Sequence, residues 1–254
     1  MWTEYQRRVK DLKKQRFILY MAVALLAAQL FSGCERQAAD LSGGKVPVVV
    51  ESKESVERRE ALKQDLDKGL FILVNKQNPV DSSYKPDDLT EVKYFASDRL
   101  PAGRVMRAEA ADAFNQLSEA AAKEGYEIVV TTAYRSYDFQ SNLYNSYVKT
   151  HGKQEADTFS AQPGKSEHQT GLSADVSSPS VNYQLTRDYI KTPEGKWLND
   201  NAYKFGFIIR FPDGKEDITG YVYEPWHIRY VGKTAAKEIF DKGLTLEEYV
   251  EKEI

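Results

Sequence analysis

Ser166-Glu167-His168-Gln169-Thr170-Gly171-Leu172-Ser173-Ala174-Asp175 is the stretch on which the reading of this chain turns. Its polar first half carries a histidine, and its second half, as part of Gly171–Ser177, reads as a short strand. Gly171 lets the backbone bend between His168 and Asp175. Working outward, Tyr126–Thr132 reads as a strand, followed by a helix over Asp138–His151 that carries Leu143, Tyr144, Tyr147 and Val148. Before them, Arg104–Glu124 has Phe114, Leu117 and Ala121 on one helical face, and Gly125 ends it. Further back, Leu70–Val74 is a buried strand or extended segment, with turns at Asn78-Pro79 and Lys85-Pro86-Asp87. Downstream come a helix over Pro193–Phe205, a strand over Gly206–Phe211, a turn at Pro212-Asp213-Gly214 and a strand over Trp226–Val231. Two short helices close the chain, the last opened by a capping box of Thr245 and Glu248. Helices and strands interleave without regular βα alternation, and no repeat is visible. This pattern predicts an α+β fold: a small antiparallel sheet with flanking helices.

The chain has 254 residues, 41% hydrophobic and 29% charged, with a formal charge of −3. That length suits one domain with an extension. The first 33 residues carry six Lys/Arg and two acids, so the rest is net −7. A mildly acidic body argues against a nucleic-acid partner. With a single cysteine, Cys34, no internal disulfide can form.

Residues 1–16 are polar and basic, Phe17–Phe31 is apolar apart from Gln29, and Ser32-Gly33-Cys34 follows. A basic start, a short apolar run and small residues describe an export signal over residues 1–33. The run is short for a membrane-spanning helix, which needs about 20 apolar residues. Leu30-Phe31-Ser32-Gly33-Cys34 resembles a bacterial lipobox, which implies cleavage before Cys34 and lipidation of its thiol. An uncleaved anchor is the alternative, and both place the body outside the membrane. Residues 34–60 read as a flexible tether, with a short helix over Val56–Lys68 at its end. Residues 61–254 form the domain.

Of the three histidines, His168 and His227 sit in dense polar clusters, the second being Glu224-Pro225-Trp226-His227. His168, Asp175 and His227 would supply the borderline nitrogen and oxygen donors of a catalytic zinc, which keeps a fourth position for water. Glu224, three residues before His227, could serve as proton acceptor and donor. The spacing alone is weak, because a lone His-x6-Asp is common and an isolated glutamate is usually a solvated surface group. His151 reads as a solvent-facing residue at a helix C-terminus, and Trp226 as packing that steadies the Glu224–His227 segment. Most of the tyrosines read as core or edge residues with one wet end.

Taken together, Ser166-x-His168-x-x-Gly171-x-x-Ala174-Asp175 and the later Glu224-Pro225-Trp226-His227 resemble the zinc D-alanyl-D-alanine carboxypeptidases. That family includes the vancomycin-resistance D,D-carboxypeptidases and the L,D-carboxypeptidases of Gram-positive bacteria. The resemblance spans roughly residues 68–240 and includes Tyr134-Arg135-Ser136-Tyr137-Asp138-Phe139-Gln140 and Leu73-Val74-Asn75-Lys76. It implies a Hedgehog/D,D-peptidase-like fold with one zinc in a cleft on the sheet. It further implies His168, Asp175 and His227 as ligands, Glu224 as general base and acid, and Arg135 on the substrate's negative oxygens. Gln140 and Ser166 match substrate-contacting positions. The implied partners are peptidoglycan stem peptides and, through the N-terminus, the cell membrane. A D-Ala-D-Ala dipeptidase or stem-peptide endopeptidase would share these residues, while a non-catalytic wall-binding lipoprotein would have lost a ligand or the base. A Ser166/His168 hydrolase has poor geometry, since residues two apart on an extended segment point the same way without converging.

Overall fold

The computed structural model describes residues 52–97, 99 and 103–254. The expected export signal, Cys34 and the expected tether up to residue 51 lie outside the described residues. No helix among the described residues is long and apolar enough to cross a membrane.

Helix α1, Lys53–Asp67, starts where Ser52 accepts a hydrogen bond from Ser55 N at 3.1 Å. This N-cap satisfies one of the helix's open backbone donors. The sequence reading extended the tether to residue 60, whereas the helix already begins at Lys53. Residues 53–60 are helical and held to the C-terminal part of the chain, with Arg58 paired to Glu238 at 2.5 Å and Glu253 at 2.8 Å. Within Leu70–Val74, Leu70 and Phe71 finish the turn after α1 and residues 72–74 join no ladder, while Leu70, Phe71 and Val74 are buried.

Two three-residue strands, β1 (Leu89–Glu91) and β2 (Val105–Arg107), form an antiparallel ribbon with Thr90 opposite Met106. The helix expected from Arg104 thus begins later, as α2 over Ala108–Lys123. Met106 is fully buried while its backbone pairs with β1, whereas the helical apolar face begins only at Ala110. After α2 come β3 (Val129–Thr132), α3 (Tyr137–His151), α4 (Lys153–Phe159) and β4 (Ser173–Ser177). Helix α5 (Pro193–Asn201) has its proline at the first turn and runs into a 3₁₀ turn over Ala202–Phe205. Strand β5 (Phe207–Ile209), helix α6 (Glu216–Thr219), strand β6 (His227–Tyr230) and helices α7 (Lys233–Lys242) and α8 (Leu246–Glu253) complete the order. Thr245 and Glu248 form the expected capping box.

The main sheet has the order β3-β4-β6-β5, and every neighbouring pair is antiparallel. Ala174, Val176 and Ile228 face α2, where Phe114 and Leu117 are fully buried. Phe114 meets Phe207 edge-on with ring centres 6.4 Å apart. A second cluster joins Leu62 of α1, Ile208 of β5, Ile239 of α7 and Tyr249 of α8. These two apolar clusters fix the strands that carry the polar residues described next.

Candidate active site

Side chains alternate across a strand, so Ser173, Asp175 and Ser177 share the face of β4 opposite Ala174 and Val176. The register sets Asp175 directly across from His227 on β6, and Thr132 across from Asp175 on β3. Ahead of β4, a single 3₁₀ turn over Glu167–Thr170 presents His168, and Gly171 closes it at φ 68°. A Cβ at Gly171 would sit 2.9 Å from Leu89 Cδ2 and 3.2 Å from Arg107 Cγ, so the bend needs both the left-handed backbone and the missing side chain.

The two histidines turn different nitrogens inward. His168 Nδ1 lies 2.6 Å from the Ala133 carbonyl oxygen, which makes it the N–H nitrogen and leaves Nε2 3.3 Å from Asp175 Oδ2. His227 Nε2 lies 3.1 Å from Glu167 Oε2, while its Nδ1 is 3.0 Å from Asp175 Oδ1 and 3.7 Å from Glu224 Oε2. One donor atom from each of His168, Asp175 and His227 lies within 4.8 Å of the other two, and all three residues are buried. His168 Nε2 and Asp175 Oδ1 lie close to these partners but are not aligned for hydrogen bonds, so both are buried without one. Buried polar atoms are ordinarily paired. Converging nitrogen and carboxylate donors with unused lone pairs fit a cation such as zinc.

The electrostatics divide the site. Burial and the charge of Arg135 push His168 down to about 4, keeping it neutral. Burial also disfavours charge on His227, but Asp175 and Glu167 outweigh it and raise the ring to about 9. A metal here must therefore displace a proton from His227. Burial would raise Asp175, yet His168 and His227 hold its carboxyl well below the usual range. Burial lifts Glu224 to about 7, with the nearby Asp175 charge adding to it and His227 opposing. A carboxyl group near neutrality is suited both to accept and to return a proton.

These residues open into a cleft of about 210 Å³. Arg135 sits between the end of β3 and the start of α3, and its backbone N–H donates to His168 O at 3.2 Å. Ser136 caps α3 by accepting from Phe139 N at 3.1 Å. Burial lowers the Arg135 pKa, and the field of Asp175 and Glu224 counters it. Gln140 is buried, donates from Nε2 to Ala161 O at 2.7 Å, and keeps Oε1 unpartnered in the cleft wall. Ser166 also lines the cleft. Because His168 Nε2 has no hydrogen-bond partner and Nδ1 faces Ala133, Ser166 and His168 form no nucleophile–base pair. The structure thus gathers His168, Asp175, His227, Glu224, Arg135, Gln140 and Ser166 around one cleft. Trp226 lines it too while packing against the main core. His151 stands apart as the exposed last residue of α3, 3.8 Å from Glu155.

The sequence reading assigned no role to Glu167, Arg210 or Arg229. Glu167 is almost wholly inaccessible and held well below the carboxylate range, because Arg210 and Arg229 outweigh the burial that would raise it. A signal was present: Arg210 and Arg229 interrupt the apolar runs GFIIRF and HIRYV.

Residues 103–233 match the VanY family, D-alanyl-D-alanine carboxypeptidase. Over 185 residues the chain is 50% identical to the putative carboxypeptidase YodJ of Bacillus subtilis, covering 72% of this chain and 67% of that one. Among solved structures it resembles the LdcB LD-carboxypeptidase, with 51% identity, a TM-score of 0.68 and coverage of 71% of this chain and 85% of that one. It also resembles a mutant of the vancomycin-resistance D,D-pentapeptidase VanY in complex with Zn(II), at 33% identity, a TM-score of 0.59 and coverage of 71% and 98%. With matching fold and sequence, this chain belongs to the VanY family of D-alanyl-D-alanine carboxypeptidases.

Proposed function

We propose that the chain is a zinc-dependent carboxypeptidase that removes the terminal D-alanine from peptidoglycan stem peptides, with the tetrapeptide as its preferred substrate. The observation that carries this reading is the convergence of His168 Nε2, an Asp175 oxygen and His227 Nδ1 beside Glu224, in a cleft that also holds Arg135. The tetrapeptide preference follows the higher identity to LdcB, an LD-carboxypeptidase, than to the D,D-pentapeptidase.

His168, Asp175 and His227 would hold the zinc, which when bound supplies a Lewis acid and a water of lowered pKa. Glu224 Oε2 accepts a proton from the attacking water and returns it to the amine of the departing D-alanine. Arg135 binds the negative oxygens of the substrate, because its planar guanidinium fork suits a carboxylate. Gln140 Oε1 offers an acceptor to a peptide N–H, and Ser166 positions the backbone. Stem peptides lie outside the cytoplasmic membrane, so the reading includes export through residues 1–33 and anchoring by lipid on Cys34.

The test is product mass. The purified protein is incubated with synthetic muropeptide tetrapeptide and pentapeptide, with and without EDTA. Loss of one alanine from the tetrapeptide, stopped by EDTA and restored by zinc, is the expected result. Loss from the pentapeptide alone would reverse the assigned preference, and release of a D-Ala-D-Ala unit would make the protein a dipeptidase. No release from either peptide by zinc-loaded protein would sink the reading.

A further inference from the structure

The two strands that flank the cleft also bury two arginines. Arg210, just after β5, and Arg229, on β6, are wholly inaccessible, and a buried guanidinium needs a close counter-charge. Both turn to one oxygen of Glu167: Arg210 Nε donates to Oε1 at 2.7 Å and Arg229 Nη1 donates to it at 2.6 Å. The second oxygen, Oε2, lies 3.1 Å from His227 Nε2. Glu167 precedes His168 in sequence yet serves the other histidine, because the tight 3₁₀ turn sends consecutive side chains in different directions. The remaining guanidinium nitrogens of both arginines are also engaged. Arg210 makes a two-pronged contact with Glu247, at 2.8 and 2.6 Å, in the first turn of α8. Arg229 donates to Leu70 O at 2.8 Å, Ile72 O at 2.9 Å and Tyr230 O at 3.1 Å.

Neutralising two arginines does not require one carboxylate oxygen to take both while the other is kept for an imidazole. The division suits a rigid anion that accepts the Nε2–H of His227 and so leaves Nδ1 as the lone-pair nitrogen. We propose that Glu167 is a positioning residue for the metal: clamped by Arg210 and Arg229, it sets the tautomer and ring angle of His227, and Glu247 of the C-terminal helix is the outer end of that clamp. This rests on the zinc reading above. It makes α8 part of the metal site, although α8 contributes no ligand.

Zinc affinity, read by competition with a chromophoric chelator, is compared in the wild type, Glu167→Gln and Glu247→Gln, alongside the melting temperature of each zinc-free protein. Outer partners of a metal-bound histidine commonly contribute 10- to 100-fold in affinity. Glu167→Gln should therefore bind zinc roughly 10- to 100-fold more weakly and show an altered visible spectrum with Co(II). Glu247→Gln should lose less. Equal zinc affinity in wild type and Glu167→Gln, whatever happens to melting temperature, overturns the proposal and leaves Glu167 with a purely structural role. If Glu167→Gln does not fold, the wild type decides by nitrogen-15 NMR of its imidazoles, which number only three. In zinc-loaded protein the proton of His227 must be on Nε2, and a proton on Nδ1 overturns the proposal. A wild type that binds no zinc takes the proposal down together with the metal reading, which separates that failure from the others.

Discussion

Strands β4 and β6 bury both of their faces, and the two faces are built from different chemistry. Toward α2 lie Ala174, Val176 and Ile228, packed with Phe114 and Leu117. One residue along, on the opposite face, lie Asp175, His227 and Arg229. Burial alone does not tell the faces apart, since every residue of both strands is buried. They differ in what burial leaves unsatisfied. The cleft side holds Arg135 Nε, Gln140 Oε1, His168 Nε2 and Asp175 Oδ1 without hydrogen-bond partners, while the Ala174, Val176 and Ile228 side chains toward α2 are apolar and need none. The apolar face contributes stability through removal of its surface from water. The polar face is held in an arrangement that desolvation disfavours, which is how sites of chemistry are commonly built.

This contrast predicts that damage to one face costs turnover and damage to the other costs folding. The largest effect belongs to Glu224→Gln, which should lower kcat by roughly 10²- to 10⁴-fold with the melting temperature near wild type. Steady-state kinetics and thermal unfolding on one preparation check both halves. Phe114→Ala should lose about 3–5 kcal/mol of stability while the folded fraction keeps its kcat/KM, measured by denaturant unfolding and by activity well below the transition. Equal losses of activity per folded molecule in these two variants would erase the distinction between the faces. Arg135→Ala removes the charge-assisted contacts proposed for the substrate, so kcat/KM should fall by about 2–3 kcal/mol, or roughly 30- to 150-fold. Arg135→Lys should recover only part of that, because a point charge lacks the planar fork. Ser52→Ala, which removes the N-cap of α1 at a residue that does not line the cleft, should cost about 1 kcal/mol of stability with kinetics unchanged.

The polar face was the more legible of the two. Only three histidines occur in the chain, and two of them stand with Asp175 and Glu224 in two tight clusters whose combined resemblance to a known family pointed to these residues before any fold was known. The sheet was legible where strands carry apolar runs, as in Tyr126–Thr132 and Gly206–Phe211. It was illegible at β1, where Leu89-Thr90-Glu91 has too few residues to show a period, and consequently at β2, whose pairing partner is β1. The α4 helix, Lys153–Phe159, has little apolar content and was missed for that reason. Glu167 escaped assignment because its partners are distant in sequence: Arg210, Arg229 and His227 reach it only after β5 and β6 have paired. Charges inside strands, which the apolar runs around Arg210 and Arg229 display, are the signal that such a buried network leaves in a sequence.

The central claim is that the polar face of β4 and β6 is a zinc site that performs the hydrolysis. The most direct test is a titration in which zinc is removed stepwise from the purified protein by chelator and returned, with bound zinc and D-alanine release from tetrapeptide measured on the same samples. The account predicts that activity falls in proportion to bound zinc and is fully restored at one zinc per chain. Activity that persists after the zinc has left would contradict it.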